Sequence, residues 1–157
     1  MTEIVPCLWF TDDAEAAVAL YTGLFPDSEV LEVTRYPAGA PGEEGSVLTV
    51  EFTVAGSRYT ALNGGPHDAF NDAVSLQVLV ADQAELDRVW DGLLAGGGTP
   101  VQCGWLKDRF GVSWQVVPRS WAAALRTATP AQAAAGFAAL MPMVRIDVSA
   151  LEAALRS

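Results

Sequence analysis

The hydrophobic and polar positions of this chain follow two patterns, which occur twice in the same order. Residues 4–10 form an apolar stretch typical of a strand, and apolar side chains then recur at helical spacing up to Pro26. Residues 74–81 begin the same order again, 70 positions later when Asp82 is aligned with Asp12. The pattern therefore predicts a repeated strand–helix unit.

The starts of the two helices have the same local signal. Asp12 is followed three residues later by Glu15, and Asp82 by Glu85, which is the spacing of a capping box. The predicted helices run to about residues 25 and 95, the second ending before three glycines. In the first helix the expected buried stripe consists of Ala16, Ala17, Leu20 and Leu24.

Three strand-like segments follow each predicted helix. They cover residues 28–36, 46–54 and 57–62 in the first half, and 99–103, 104–109 and 112–118 in the second. An internal repeat is stronger fold evidence than the propensity of one segment. We predict an α+β fold of two βαβββ modules, residues 3–64 and 73–118, within a single domain spanning 1–157.

Residues 119–157 are predicted to be helical. Thr129, Pro130 and Gln132 combine an N-cap, a first-turn proline and a capping-box glutamine, and Ser149 with Glu152 indicates a last short helix. We interpret the apolar stripe as a docking face on the domain or on a partner subunit. The stripe consists of Phe137, Leu140, Met141 and Val144.

The charge balance narrows the range of partners. Nine basic and nineteen acidic residues give a net charge of -10, which argues against nucleic acid and anionic lipid as partners. No apolar run reaches the roughly 18 residues of a membrane span, and the first residues do not resemble a signal peptide. We expect a cytoplasmic protein in which Cys7 and Cys103 stay reduced.

Alternation along the strands separates a helix-facing side from an open side. The wholly apolar set is assigned to the helix side and comprises Ile4, Pro6, Leu8, Phe10, Val74, Leu76, Val78 and Val80. The mixed set is assigned to a concave, ligand-facing side and comprises Val5, Cys7, Trp9, Ser75, Gln77 and Leu79. On the last strands the open side receives Arg58, Thr60, Leu62, Ser113, Gln115 and Val117, whereas Trp114 belongs to the core.

Four phrases of the chain resemble the PhnB-like branch of the vicinal-oxygen-chelate superfamily, which includes glyoxalase I, extradiol dioxygenases and bleomycin-resistance proteins. They are VPCLWF at residues 5–10, LNGGP at 62–66, QCGWLKD at 102–108 and FGVSWQVVP at 110–118. Members of this branch often carry the name 3-demethylubiquinone 3-methyltransferase. The resemblance implies paired modules around a cavity, and a homodimer.

The resemblance also implies where a metal would bind. Metal enzymes of the superfamily take four His or Glu ligands from the first and last strands of the modules. The matching positions here are Val5 (or Pro6), Thr60, Ser75 (or Leu76) and Gln115. Because none of these is a carboxylate or an imidazole, we expect no catalytic metal and no other cofactor.

A methyltransferase that uses S-adenosylmethionine would need a different local pattern. Such enzymes usually have a doubly wound sheet with a glycine-rich loop after the first strand. Residues 10–13, Phe-Thr-Asp-Asp, contain no glycine. The residues therefore do not favour this activity.

Few residues are candidates for chemistry. His67 beside Asp68 is either a general base or an exposed loop histidine, and we favour the second interpretation. Cys103 is a weaker nucleophile candidate because no base lies near it in sequence. Lys107 and Asp108 are interpreted as a surface turn.

The predicted ligand-binding residues combine aromatic, amide and hydroxyl side chains. Trp9 and Phe70 would form an aromatic wall, and Asn63 either anchors a ligand or orders a turn. The full set is Cys7, Trp9, Thr60, Asn63, His67, Phe70, Ser75, Gln77 and Gln115.

Three functions follow as hypotheses. The first is a protein that binds a small organic molecule of unknown identity without a metal. The second is a metal-independent enzyme that uses His67, Gln115 or Cys103. The third is a structural dimer whose C-terminal helices bind a partner.

Overall fold

The computed structural model describes residues 2–66 and 69–156. Their elements, in chain order, are β1 (Cys7–Phe10), α1 (Ala14–Leu24), β2 (Val30–Arg35), β3 (Val47–Val54), β4 (Ser57–Asn63), β5 (Leu76–Val80), α2 (Gln83–Leu94), β6 (Thr99–Pro100), β7 (Trp105–Lys107), β8 (Ser113–Pro118), α3 (Arg119–Ala124), α4 (Pro130–Leu140) and α5 (Val148–Arg156).

The elements form two compact units, residues 1–69 and 70–157. Each unit contains one four-stranded sheet, with strand orders β1-β4-β3-β2 and β5-β8-β7-β6. In both sheets the first strand pairs in parallel with the last strand of its unit, and the other neighbours are antiparallel. The predicted α+β fold of two βαβββ modules is confirmed.

The core of the first unit lies between its sheet and α1. Strand β1 pairs with β4 so that Cys7 lies opposite Thr60 and Phe10 opposite Asn63. Leu8 and Phe10 are buried while Cys7 and Trp9 are exposed, which is the alternation expected of a sheet covered on one face. The predicted sides of β1 are therefore confirmed.

The start of α1 differs from the predicted capping box at Asp12 and Glu15. Asp13 is the N-cap, and its side chain makes no capping hydrogen bond. Instead, the amide oxygen of Asn63 accepts from the Ala14 N–H at 2.9 Å. A side chain from a strand 49 residues away thus takes the place of the local cap.

The buried side of α1 is also rotated from the predicted stripe. Ala16 is exposed, and Leu20 and Leu24 are half-buried. The buried residues are Ala14, Ala17, Val18 and Tyr21. The Tyr21 ring stacks on Phe52 of β3, so the aromatic side chain determines which face of the helix packs on the sheet.

Three residues assigned to the helix side lie outside the sheets. Ile4 and Val74 are 92% and 75% exposed, and Pro6 is also exposed. The predicted strands were too long at their N-terminal ends, because pairing begins only at Cys7 in β1 and at Leu76 in β5.

The second unit packs α2 against its sheet. Leu86, Val89, Trp90 and Leu93 are the buried residues of α2. The Asp82 carboxylate accepts from the Glu85 N–H at 2.9 Å, which confirms the predicted helix start. Glu85 in turn accepts from the Ala81 N–H at 2.7 Å.

The segment between α2 and β8 contains shorter strands than predicted. Cys103 and Gly104 have positive φ angles of 61° and 79°, which interrupt the extended backbone between β6 and β7. Their N–H groups donate to the carbonyls of Met143 and Val144 in the C-terminal tail, at 2.7 and 3.0 Å. The tail therefore replaces the pairing that a longer strand would have had.

Asp108 is buried, in contrast to the predicted surface turn at Lys107 and Asp108. Only 3% of Asp108 is exposed. One carboxylate oxygen accepts from the N–H groups of Phe110 and Val112 at 2.9 and 3.0 Å, and the other accepts from the Trp114 indole at 2.9 Å. The carboxylate satisfies the backbone of the tight turn and fixes a core tryptophan.

The C-terminal tail forms three helices. The predicted capping box of α4 is confirmed, since Thr129 and Gln132 exchange hydrogen bonds. The last helix begins two residues earlier than predicted, because Asp147 rather than Ser149 accepts from the Ala150 N–H at 2.9 Å. No helix in the described ranges is long and apolar enough to span a membrane.

Candidate functional site

The open face of the second sheet carries a row of polar side chains. Gln77 of β5, Gln115 of β8 and Trp105 of β7 lie side by side, since Gln115 pairs with both other residues. The Gln115 amide donates to the Ser75 hydroxyl at 2.8 Å, and the Gln77 amide makes a long contact of 3.4 Å to the Gln115 oxygen. We call Ser75, Gln115 and Gln77 the polar row.

A pocket of about 480 Å³ lies between this face and the C-terminal tail. On the sheet side it is lined by Gln77, Trp105, Gln115 and Val117 together with Cys103 of the preceding loop; the tail contributes Trp121, Ala122, Leu125, Phe137, Leu140, Met141 and Ile146. None of these lining residues is acidic or basic, so an uncharged molecule would meet no unpaired charge there.

Two polar atoms at the pocket are left without partners in the described ranges. The Gln77 amide oxygen accepts no hydrogen bond, and the Trp105 indole N–H donates none, from or to residues 2–66 and 69–156. The Gln77 nitrogen uses one of its two hydrogens toward Gln115. The pocket therefore offers an acceptor and donors at neighbouring positions.

A charged cluster lies farther along the same sheet face. The Ser113 hydroxyl donates to Asp72 at 2.7 Å, and the Lys107 ammonium lies 3.3 Å from the same carboxylate. The hydrogen bond from Ser113, and then Lys107, lowers the pKa of Asp72. The lysine charge is thus paired outside the pocket.

The open face of the first sheet carries the predicted residues Cys7, Trp9 and Thr60. The Trp9 indole donates to the Gly65 carbonyl at 3.0 Å, and its ring covers Gly64 so closely that a Cβ there would lie 2.3 Å from the ring. Partial desolvation raises the pKa of the Cys7 thiol although the residue as a whole is exposed, and the raised pKa keeps the thiol protonated. Trp9 is therefore fixed by the loop that follows β4.

Asn63 forms hydrogen bonds within the first unit through both its side-chain amide and its backbone carbonyl. In addition to capping α1, its nitrogen lies 3.2 Å from the Val47 carbonyl and 3.3 Å from a Glu15 oxygen. The Tyr36 hydroxyl donates to the backbone carbonyl of Asn63 at 2.7 Å. These contacts join β4 to α1, to the start of β3 and to the residue after β2, so Asn63 holds separate elements together rather than ordering a single turn.

The remaining predicted residues occupy separate places. His67 lies outside the described residues. Phe70 is half-buried beside Gly111 in the turn before β8 and does not line the pocket. Cys103 does line the pocket, where its thiol lies 3.9 Å from both the carbonyl oxygen and the sulfur of Met141.

Several pocket residues were missed by sequence reasoning. Trp105 could have been found by alternation on β7, because it shares a face with Gln115. The tail residues could not have been found in this way, because the apolar stripe that includes Phe137 and Met141 indicates a docking face but not what the face covers. Only the fold of the tail shows that these side chains face a polar row.

Comparison with known proteins identifies the family. The family model described as 3-demethylubiquinone-9 3-methyltransferase matches residues 2–117. The chain belongs to this family. None of the curated proteins matches the chain.

Solved structures of similar proteins agree with this family membership. A PhnB protein from Bacillus cereus, which also carries the family description in its name, is 32% identical over 74% of this chain and 99% of its own, with a TM-score of 0.68. Protein PA1353 from Pseudomonas aeruginosa is 20% identical over 75% and 98% of the two chains, with a TM-score of 0.61.

A resistance protein with low sequence identity has a similar fold. The fosfomycin resistance protein FosX from Mesorhizobium loti is 14% identical over 74% of this chain and 90% of its own, with a TM-score of 0.51. The family and this shared fold place the chain in the vicinal-oxygen-chelate superfamily.

The positions that match the superfamily's metal ligands do not suit a divalent metal. Thr60, Ser75 and Gln115 supply hydroxyl and amide oxygens, and Ser75 and Gln115 are bonded to each other. Within the described ranges no group of three His, Cys, Asp or Glu side chains could hold an ion. The donor chemistry therefore does not fit the group that metal enzymes of the superfamily carry.

Proposed function

We propose that the chain binds a small, uncharged organic molecule in the pocket of the second unit, without a catalytic metal. The observation that carries the proposal is a pocket of about 480 Å³ whose lining combines apolar and aromatic walls with the amides of Gln77 and Gln115. Ligand pockets in proteins typically have this size, and a few placed polar groups orient the ligand in an apolar cavity.

The pocket favours binding over catalysis. Among the described residues that line it, Cys103 alone carries a nucleophilic side chain, and none of these residues is a carboxylate or an imidazole that could activate the thiol. The methyl transfer named in the family description has no counterpart in the chemistry of these side chains. We therefore propose binding as the function.

Native mass spectrometry of the purified full chain tests this proposal. We expect a metal-free protein that carries a small extra mass or, if that mass is lost on purification, takes up the neutral probe N-phenyl-1-naphthylamine at one equivalent per chain. Added nickel, manganese or zinc is expected to leave the spectrum unchanged after desalting. A stoichiometric metal that survives desalting would contradict the proposal.

A pair of matched variants places the binding in the pocket. Gln77→Leu removes an amide from the pocket floor, whereas Gln102→Leu makes the same change at an exposed residue that does not line it. We expect the first variant to change probe affinity and the second to keep it. Equal behaviour of the two variants would place the ligand elsewhere.

We further propose that the two units and the tail act as one domain and that the protein is a cytoplasmic homodimer. The edge strand β2 exposes Val30, Leu31 and Val33, which gives an apolar surface that a second copy could cover. Two free cysteines suit a reducing compartment. The same native spectra test the dimer, since a monomer at all concentrations would contradict it.

A further inference from the structure

The tail that closes the pocket lies beyond the matched family region. The family match ends at residue 117, and the match to the Bacillus cereus protein takes in 99% of that protein but only 74% of this chain. Trp121 and Leu125 follow in and just after α3, and Phe137 and Met141 in and just after α4, and all four line the pocket. One wall of the pocket therefore belongs to a segment that is additional to the matched family region.

This wall is attached to the second unit at several points. Ile146 is 1% exposed, and a Cβ on Gly104 would lie 2.7 Å from its side chain. The Gln83 side chain contacts the Ile146 carbonyl at 3.2 Å and accepts from the Val148 N–H at 2.9 Å. Arg145 forms ion pairs with Asp87 and Asp91 on α2.

Attachment at these points makes the pocket preformed. A wall that is already ordered costs little conformational entropy when a ligand binds. The helices also hold each other, since the Trp121 and Phe137 rings meet edge to face at 5.2 Å and Gly136 lets Leu155 approach α4 closely. The shape of the pocket can therefore discriminate between ligands.

The chemistry of the two sides limits the ligand. The aromatic side chains Trp105, Trp121 and Phe137 suit a flat ring. The free oxygen and the remaining N–H of the Gln77 amide suit a partner that presents a donor next to an acceptor, as two amides do when they pair. The absence of acidic and basic residues from the described lining excludes a charged ring, which would lose its hydration without compensation.

We infer that the pocket selects a flat, uncharged ring with an N–H beside a C=O, as in a cyclic amide. Gln77 forms the hydrogen bonds, and Phe137 of α4 covers the ring. This inference rests on the proposed function, because it names the class of ligand for the same pocket.

The inference is tested by titrating the full chain with three related compounds: 2-quinolinone, its N-methyl derivative and quinoline-2-carboxylate. All three contain the same two fused rings, but only 2-quinolinone is uncharged and has the N–H beside the C=O. We expect 2-quinolinone to bind about tenfold more tightly than the N-methyl compound, which corresponds to one lost hydrogen bond. The carboxylate is expected to bind more weakly than either.

Two variants separate the contribution of the sheet side of the pocket, which carries Gln77, from that of the tail, which carries Phe137. Gln77→Leu should abolish the difference between the two quinolinones. Phe137→Ala should weaken both by about tenfold while it preserves their ratio, since it removes the ring that contacts the ligand and Trp121 but leaves the Gln77 amide in place. Phe110→Ala, at a phenylalanine outside the pocket lining, should leave both affinities unchanged. Far-UV circular dichroism of each variant checks that it is folded.

The outcomes distinguish the two proposals. If the wild type binds N-phenyl-1-naphthylamine but treats all three quinoline compounds alike, the inferred ligand class is wrong and the proposed binding function stands. If Phe137→Ala leaves the affinities unchanged, the tail does not cover the ring. If no compound binds the wild type and no small molecule co-purifies, the proposed function itself fails.

Discussion

The buried carboxylate of Asp108 provides the sharpest test of how the turn before β8 is held. It accepts three hydrogen bonds, from two backbone N–H groups and from the Trp114 indole. In Asp108→Asn the amide still has one acceptor oxygen, but its NH₂ group must face one of these donors. We expect the free energy of unfolding to fall by about 2–3 kcal/mol, because a buried donor loses its acceptor.

A double-mutant cycle isolates the contact between Asp108 and Trp114. Trp114→Phe removes the indole N–H, so in that background the amide of Asp108→Asn can face a position without a donor. We expect a coupling free energy of about 1.5–3 kcal/mol, the size of a hydrogen bond to a charged group. Urea unfolding followed by far-UV circular dichroism measures all four proteins.

The control is Asp12→Asn, the same substitution at an exposed residue. It is expected to change stability by less than about 0.5 kcal/mol. If Asp108→Asn costs the same in the wild-type and Trp114→Phe backgrounds, the carboxylate does not hold the indole, and the account of the turn is refuted.

Three further predictions concern other contacts. Asn63→Ala should destabilise the first unit by about 2–4 kcal/mol in urea unfolding, because the Ala14 N–H and the Val47 carbonyl both lose a hydrogen-bond partner. The control is Asn71→Ala at an exposed residue, which should cost less than about 1 kcal/mol. Gly104→Ala should lower the melting temperature more than Gly39→Ala, although both glycines have a φ of 79°. A Cβ on Gly104 would meet Ile146 of the tail and the Val116 carbonyl of β8, whereas a Cβ on Gly39 would meet nothing; equal losses would contradict this close packing around Gly104. Hydrogen bonds from the Ala150 backbone and the Ser149 side chain lower the pKa of Asp147, so its contribution to stability is present above about pH 4 and is lost as the pH falls through the folded pKa. The melting-temperature difference between wild type and Asp147→Asn should therefore shrink from about pH 5 to about pH 3. A difference that stays constant over this range would refute the prediction.

The repeated pattern was enough to predict the fold because both modules follow the same order of periodicities. The alternation of β1 and β8 correctly separated buried Phe10 and Trp114 from the open-face residues Cys7 and Gln115. These features depend on local periodicity, which is visible in one sequence.

The predictions that failed concern contacts between residues far apart in the chain. The capping box at Asp12 was wrong because Asn63 takes its place across 49 residues. The two middle strands of the second module were predicted too long, since the tail at Met143 takes their hydrogen bonds at Cys103. A local pattern contains no information on such partners.

Only the sheet side of the pocket could be predicted, because the tail side depends on contacts between residues far apart in the chain. Gln77 and Gln115 follow from alternation, whereas Phe137 and Met141 enter the pocket because the tail folds back over the sheet. An amphipathic helix shows which of its faces is apolar, but its sequence does not show what that face covers.

The most direct test of the proposed binding site is the indole region of a ¹H–¹⁵N correlation spectrum. The chain has five tryptophans, of which Trp105 and Trp121 line the pocket and the other three do not. On titration with 2-quinolinone or N-phenyl-1-naphthylamine, we predict that the Trp105 and Trp121 signals shift while those of Trp9, Trp90 and Trp114 stay in place. A shift of Trp9 with no change at Trp105 would contradict the account, because it would place the ligand on the first sheet.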